Sequence, residues 1–196
     1  MKELVRLEAL TDGVFAIVAT LLVLDIKLPD FPLNQNSDAF AEFISSFIAF
    51  TFSFITVMIY WVNHDHISRW RRGHNSKAIY LNLVFLFFIC LIPFPTKFIA
   101  KYPNEMVAVI SYGIEMFMVA VSGIALYWYL AFHGKLLDHS IPMKTRKNYL
   151  HKAYGGPSLY LLAILLGFVS YKISIALYII IPLLYVVLPK TDLKES

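Results

Sequence analysis

Residues 5–26 read VRLEALTDGVFAIVATLLVLDI, an apolar run whose charged residues lie in its first two turns and at its end. A helix of about 20 apolar residues crosses the hydrocarbon core of a bilayer. The whole chain has 196 residues, of which 59% are hydrophobic and 15% charged. A soluble domain of this composition would expose too much apolar surface to remain dispersed. The sequence therefore predicts an all-α membrane protein with one domain over residues 1–196.

Hydropathy and loop residues divide this domain into six predicted membrane spans. The first four cover about residues 5–26, 40–62, 78–98 and 105–132. The fifth follows Gly155-Gly156-Pro157 and ends at about residue 171, and the sixth covers about residues 173–188. Pro29, Pro32 and residues 34–37 predict the first loop, and Asn104 is a candidate cap for the fourth span. The loop between the last two spans is very short, which predicts a tight antiparallel hairpin.

The placement of lysine and arginine predicts the orientation, because cytoplasmic loops are enriched in basic residues. One side would carry 13 of the 17 basic residues. These are Lys2, Arg6, Arg69, Arg71, Arg72, Lys77, Lys135, Lys144, Arg146, Lys147, Lys152, Lys190 and Lys194. The bias predicts that both termini are cytoplasmic in a cell membrane. This topology accounts for the net charge of +4 without a nucleic-acid partner.

The first span is unusual because it carries charge inside the predicted membrane segment, where charge is expensive unless it faces protein or water. Asp12 lies deepest and needs a partner. The polar end of the second span (Asn63, His64 and His66) and Asn82 of the third are predicted at a similar depth.

At about 100° per residue, one face of the first span carries large aliphatic residues. These are Leu10, Ile17, Leu21, Leu24 and Leu28, with Gly13 and Thr20 at its flanks. Glu8 and Asp12 point to the opposite face. Such an aliphatic stripe is typical of lipid contact or packing. If the acidic face is buried, the stripe must face lipid or something central, and periodicity leaves the choice open.

Several motifs resemble the prokaryotic TMEM175-type potassium channels. The first-span pattern Arg6-x-x-x-Leu10-Thr11-Asp12 is similar to the family's Arg-x-x-x-Phe-Ser-Asp, with leucine for phenylalanine and threonine for serine. Trp61-x-x-His64-x-His66, Asn82-Leu83 and Pro93-Phe94-Pro95-Thr96 also resemble the family. Asp65 interrupts the usual adjacent histidines.

The resemblance implies a homotetramer in which four first helices surround a central pore for potassium, with other monovalent cations passing less well. Ile17, Leu21 and Leu24 would form hydrophobic constrictions, and Thr20 would add a hydroxyl ring that contributes to selectivity. A further set of residues would form a structural latch between the first helix and its neighbours. The latch residues are Arg6, Thr11, Asp12, His64 and Asn82. Membrane lipids are the other expected partners.

Two other function classes remain as alternatives. A secondary transporter would need a broken helix with buried charge near the midplane, and Glu115 is the main candidate for such a charge. An intramembrane enzyme would need His64 and His66 to converge with other polar groups. The stretch Ser111-Tyr112-Gly113 is interpreted as ordinary helix. The sequence predicts no enzyme activity, no cofactor and no metal site.

Overall fold

The computed structural model describes residues 2–26, 28 and 37–187, and these fold as a bundle of α-helices joined by short connections. The helices are α1 (Lys2–Leu21), α2 (Ser37–Ser68), α3 (Ser76–Leu91), α4 (Pro93–Lys101), α5 (Met106–Trp128), α6 (Met143–Ala153), α7 (Gly155–Gly167) and α8 (Tyr171–Val187). A 3₁₀ turn, Leu22–Asp25, extends α1, and a π turn, Tyr129–His133, extends α5. Pro29, Pro32 and residues 34–36 of the predicted first loop, with Lys190 and Lys194, lie outside the described residues.

Four helical runs are long and apolar enough to cross a membrane: Leu4–Asp25, Ala39–Ser68, Ser76–Lys101 and Met106–His133. They match the first four predicted spans, and the all-helical prediction is confirmed over the described residues. The helices α7 and α8 have 13 and 17 residues. At 1.5 Å per residue they are about 20 and 25 Å long, which is shorter than a straight span of the hydrocarbon core.

Several predicted boundaries are wrong. Helix α2 continues beyond Val62 to Ser68, so the Asn63-His64-Asp65-His66 segment is helical and does not end the helix. The third run breaks at Ile92 because Pro93 and Pro95 lack the amide hydrogens that the preceding turn needs. After the break, the Ile92 carbonyl accepts both the Thr96 amide at 3.2 Å and the Thr96 hydroxyl at 2.8 Å.

Three further differences lie in the second half of the chain. Asn104 does not cap α5; the residue at that position is Glu105, whose side chain makes no capping bond. The polar stretch after His133 contains the unpredicted helix α6. Helix α7 begins at Gly155, so the Gly-Gly-Pro segment is its first turn, where proline is tolerated.

The hairpin predicted for the last two helices is present, with residues 168–170 between them. The Ser174 hydroxyl donates to the Ala163 carbonyl at 2.6 Å. Helix α5 packs against both, and Gly113 makes the close approach possible. A Cβ atom at Gly113 would lie 2.1 Å from the Tyr178 hydroxyl.

The buried residues form two clusters. The larger lies within the membrane runs and joins α1, α2, α3, α5, α7 and α8; Phe15, Val57, Phe85 and Met116 are among its members. The smaller lies at the end of the bundle that carries residues 68–76 and 129–155, called the basic end below. The buried hydroxyl groups of Ser46, Thr56 and Thr96 bond to backbone carbonyls, and Thr96 also bonds to Ser53. The buried Tyr178 hydroxyl has no hydrogen-bond partner among the described residues.

Candidate ion pathway

The aliphatic stripe of the first helix is uncovered in the subunit. Leu10, Ile17, Leu21, Leu24 and Leu28 are all exposed, with exposed fractions of 59% for Ile17 and 75% for Leu24. Gly13 lies on the same side, and nothing would come within 4 Å of a Cβ atom there. The stripe therefore offers an apolar surface along the whole helix.

The packed side of α1 lies about 100° around the helix from the stripe. Leu7, Thr11, Phe15, Val18 and Leu22 are buried, at spacings of three and four residues that keep them on one helical face. This seam packs against α2 and α3. The subunit thus buries one side of α1 and leaves the stripe open.

Thr20 is exposed beside the stripe, and its hydroxyl hydrogen is directed into the helix. Its Oγ1 lies 3.0 Å from the Ala16 carbonyl and 2.8 Å from the Ile17 carbonyl. A hydroxyl has one hydrogen and two lone pairs. Because the hydrogen bonds to the backbone, the oxygen keeps lone pairs for a cation.

A buried chain of hydrogen bonds links α1, α3 and α2. The Asn82 amide, fully buried, donates from Nδ2 to Thr11 Oγ1 at 3.0 Å. Thr11 in turn donates to the Leu7 carbonyl at 2.9 Å. Asn82 Oδ1 lies 2.8 Å from His64 Nε2, and since this oxygen can only accept, the hydrogen lies on Nε2. The imidazole stacks on Phe85 with a centroid distance of 5.8 Å.

Asp12 is paired differently from the prediction. It is exposed, and its Oδ1 accepts the indole N–H of Trp61 at 3.0 Å. The acidic side of α1 is therefore not the buried side, and Asn63, His64, His66 and Asn82 are not the partners that hydrogen-bond Asp12. Trp61 precedes His64 by three residues, which places both on one face of α2. That spacing was the signal that sequence reasoning missed.

The structure does not join Arg6 to this hydrogen-bonded cluster. Arg6 is exposed and makes no hydrogen bond or ion pair with any other described residue. The neighbouring acidic group, Glu8, is half-buried and interacts electrostatically with Arg71 of the α2–α3 connection. Burial lowers the pKa of Arg71, and the Glu8 carboxylate opposes that effect.

At the C-terminal end of α1, beyond the stripe, the structure shows an ion pair that the sequence did not predict. Lys97 Nζ lies 2.8 Å from Asp25 Oδ1. Both residues line a cavity of about 90 Å³ with Leu24 and Glu42. The last exposed leucine of the 3₁₀ turn therefore lies next to a carboxylate whose charge is balanced by one lysine.

The structure also describes the residues considered for transport or for catalysis, Glu115 and His64. Glu115 lies within α5, and its Oε1 is buried without a hydrogen-bond partner among the described residues. His64 uses Nε2 to bind Asn82, and in the described part of the chain no three His, Cys, Asp or Glu side chains come together as metal ligands. Ser111, Tyr112 and Gly113 are helical, as predicted.

Comparisons with known proteins point to one family. The family model described as "Endosomal/lysosomal potassium channel TMEM175" matches residues 6–93. A potassium channel of Streptomyces collinus is 33% identical over 191 residues, which cover 94% of this chain and 92% of the relative. A potassium channel of Chamaesiphon minutus is 31% identical over 187 residues, with 92% of each chain covered.

The fold agrees as well. The crystal structure of a lysosomal potassium-selective channel TMEM175 homolog from Chamaesiphon minutus superimposes with a TM-score of 0.81 at 28% identity. The match covers 95% of this chain and 97% of that one.

Proposed function

Since this chain belongs to the TMEM175 family of potassium channels, we propose that it is a potassium channel in which four copies surround a central pore. Residues 1–196 form one channel domain with six spans, α7 and α8 being the short fifth and sixth. The observation that carries the proposal is the exposed stripe of α1. A surface left open along one helix, beside a seam held by buried hydrogen bonds, is what a pore-lining helix requires.

The proposed constrictions are Ile17, Leu21 and Leu24. Ile17 and Leu21 are about one helical turn, or 5.4 Å, apart along the axis, so four copies would give stacked apolar rings. Such rings gate by excluding water, since an ion passes only when the constriction is hydrated. Leucine and isoleucine offer no ligands to an ion.

Thr20 supplies the polar group of this region. Its hydroxyl hydrogen bonds to the backbone, so a ring of four Thr20 oxygens would turn lone pairs towards the axis. A ring of single hydroxyls is a weak field compared with a filter of backbone carbonyls. We therefore propose modest selection of potassium over sodium.

The Thr11–Asn82–His64 chain and the Asp12–Trp61 bond act in this proposal as the latch that fixes α1 to its neighbours. Arg6, exposed near the pore entrance, acts there through another subunit or through solvent. The basic end faces the cytoplasm by the distribution of lysine and arginine, in the plasma membrane of a prokaryote. The TMEM175 family is one of ion channels, and we propose no enzymatic activity.

The test uses purified protein in liposomes with a potassium gradient and a flux assay. Wild type should carry potassium and should assemble as a tetramer. Leu21→Asn should raise the flux, because a polar ring eases hydration of the constriction. Leu161→Asn is the matched control: Leu161 is exposed on α7 to 45% and Leu21 to 44%, but only Leu21 lies on α1.

Two results would contradict the proposal. One is the absence of potassium flux from tetrameric, folded protein. The other is an equal response to Leu21→Asn and Leu161→Asn, which would make the stripe a lipid-facing surface. Saturable uptake coupled to a second ion would favour a transporter.

A further inference from the structure

A second cavity lies at the basic end, away from α1. It has a volume of about 320 Å³ and lies between the end of the α5 run and the start of α6. Its wall includes Lys135, His139 and Arg146 together with the apolar Phe132 and Met143. Every ionisable side chain in this wall is basic.

Arg146 gives the cavity a fixed positive charge. It is 5% exposed, and its guanidinium donates to three backbone carbonyls: Ala131 at 2.9 Å, Asp138 at 2.7 Å and Ile141 at 3.2 Å. These carbonyl oxygens accept three of the five guanidinium hydrogens and do not neutralise the charge. No carboxylate forms an ion pair with Arg146 among the described residues, so a buried cation is left without a counter-ion, which is costly.

The carboxylate nearest to Arg146 in the sequence already forms an ion pair with another arginine. Asp138 is the only acidic residue between Glu115 and Asp192. Its Oδ2 accepts from Arg72 Nε at 2.9 Å and Nη2 at 2.6 Å. The Ser140 amide, which donates to Oδ1 at 2.9 Å, and then these bonds from Arg72 lower the pKa of Asp138 to about 2. The negative charge of Asp138 therefore balances the positive charge of Arg72, and the positive charge of Arg146 stays uncompensated.

Backbone features add to the attraction for an anion. The amide groups at the start of α6 carry partial positive charge, and Pro142 at the cap position provides no side-chain acceptor. Lys135 has a φ of +50°, a left-handed conformation that is uncommon for a residue with a side chain. Lys135 and His139 are both exposed at the mouth of the cavity.

The position of the cavity indicates which anion would bind. It opens where the membrane run of α5 ends, at His133, so it lies at headgroup depth. Met143 is 54% exposed beside it and Trp128 is 47% exposed one turn before. A ligand with an anionic head and apolar tails fits this combination of basic and apolar side chains, whereas a free anion would make no favourable contact with the apolar ones.

From these observations we infer that the cavity between α5 and α6 binds the phosphate of an anionic phospholipid, with Lys135, His139 and Arg146 around the phosphate and the acyl chains against Phe132 and Trp128. Basic pockets beside membrane helices are known to take anionic headgroups. The inference depends on the proposed function only for the name of the leaflet. The lipid would belong to the cytoplasmic one.

The experiment titrates full-length protein in detergent with phosphatidylglycerol and counts the bound lipids by native mass spectrometry. The site variant is Lys135→Gln/His139→Gln, since both side chains are exposed and their loss leaves the core intact. The control is Lys147→Gln/His151→Gln, which makes the same two changes at exposed positions of α6 outside the cavity. Phosphatidylcholine and inorganic phosphate are the comparison ligands.

We expect saturable binding of one phosphatidylglycerol per subunit. The site variant should bind about fivefold more weakly, the effect of one basic residue near an anionic headgroup, and the control should change by less than twofold. Equal losses in both variants would mean general electrostatic attraction and would overturn the inference. Saturation by phosphatidylcholine, or full displacement by millimolar phosphate, would overturn the lipid assignment. The potassium flux of both variants is measured separately, so that a failure to bind the lipid can be told apart from a failure to conduct potassium.

Discussion

Replacing Thr11 by valine and Asn82 by leucine, singly and together, should reveal a coupling between α1 and α3 in the free energy of unfolding. Both side chains are buried, with exposed fractions of 1% and 0%. Each substitution removes hydrogen-bonding atoms at nearly constant volume. The expected costs therefore come from stranded polar groups and not from cavities.

The structure gives the size of each cost. Thr11→Val leaves Asn82 Nδ2 without its 3.0 Å acceptor, and a buried unsatisfied donor costs about 1–3 kcal/mol. Asn82→Leu strands the His64 Nε2 hydrogen at a similar cost, whereas Thr11 keeps its bond to the Leu7 carbonyl. In the double variant the Asn82 donor is gone, so Thr11→Val should add little. Measured side-chain bonds in membrane proteins average about 0.6 kcal/mol and reach about 1.7, so we expect a coupling of about 1 kcal/mol.

The assay is unfolding of the purified protein by dodecyl sulfate in mixed micelles, at one protein concentration for all variants. Thr51→Val provides the matched control. Thr51 is half-buried on α2, and its hydroxyl bonds only to the Phe47 carbonyl at 2.8 Å, so its effect should add to that of Asn82→Leu. Additivity of Thr11→Val and Asn82→Leu within about 0.3 kcal/mol, the scatter of independent sites, would refute the hydrogen-bonded latch.

Two further predictions concern the opposite end of the pore and the α5–α8 contact. Lys97→Gln should raise the inward potassium conductance, because the Asp25 carboxylate loses its counter-charge, and Asp25→Asn should lower that conductance. Both are measured at an ionic strength of about 0.01 M, where the Debye length is about 30 Å. Gly113→Ala should destabilise the fold by about 1–3 kcal/mol, as overpacking does, since the new methyl group would meet the Tyr178 hydroxyl; thermal unfolding in detergent measures this.

Their controls use the same changes elsewhere. Lys172→Gln removes a lysine from the same end of the bundle, where Lys172 lies over the Tyr171 ring, and it should leave the conductance unaltered. A conductance that responds equally to Lys97→Gln and Lys172→Gln would argue against a role for the Asp25 ion pair. Gly13→Ala meets no atom within 4 Å and should not destabilise the helix, because alanine is the better helix former. Equal destabilisation by both glycine substitutions would point to backbone effects rather than overpacking.

The membrane runs follow from hydropathy, and the aliphatic stripe of α1 follows from the 3.6-residue period. These signals are local, and the sequence displays them directly. The boundary errors have a different origin. Polar residues such as His64 remain helical beyond the apolar part of α2 because Asn82 of another helix satisfies them, and no local pattern contains that information.

The partner of Asp12 was missed for the same reason. The polar residues predicted at the depth of Asp12 were its expected partners, whereas the sequence marked Trp61 only as part of the motif Trp61-x-x-His64-x-His66. An indole has one hydrogen to donate and an apolar body, so it suits an exposed carboxylate at the edge of an apolar bundle better than a second polar residue would. The Lys97–Asp25 pair joins residues 72 positions apart, and only the packing of α4 against the 3₁₀ turn brings them together.

Three consecutive residues explain why this first helix can be both anchored and open. Thr11 faces the buried seam, Asp12 meets Trp61 at the margin, and Gly13 lies on the open stripe, each about 100° from the next. Any rotation of α1 that turned the stripe away from the proposed pore axis would have to break the Thr11–Asn82 bond and separate Asp12 from Trp61. The hydrogen bonds on the packed side therefore determine which residues face the open side, and in the proposed channel the identity of the constriction depends on residues that an ion never touches.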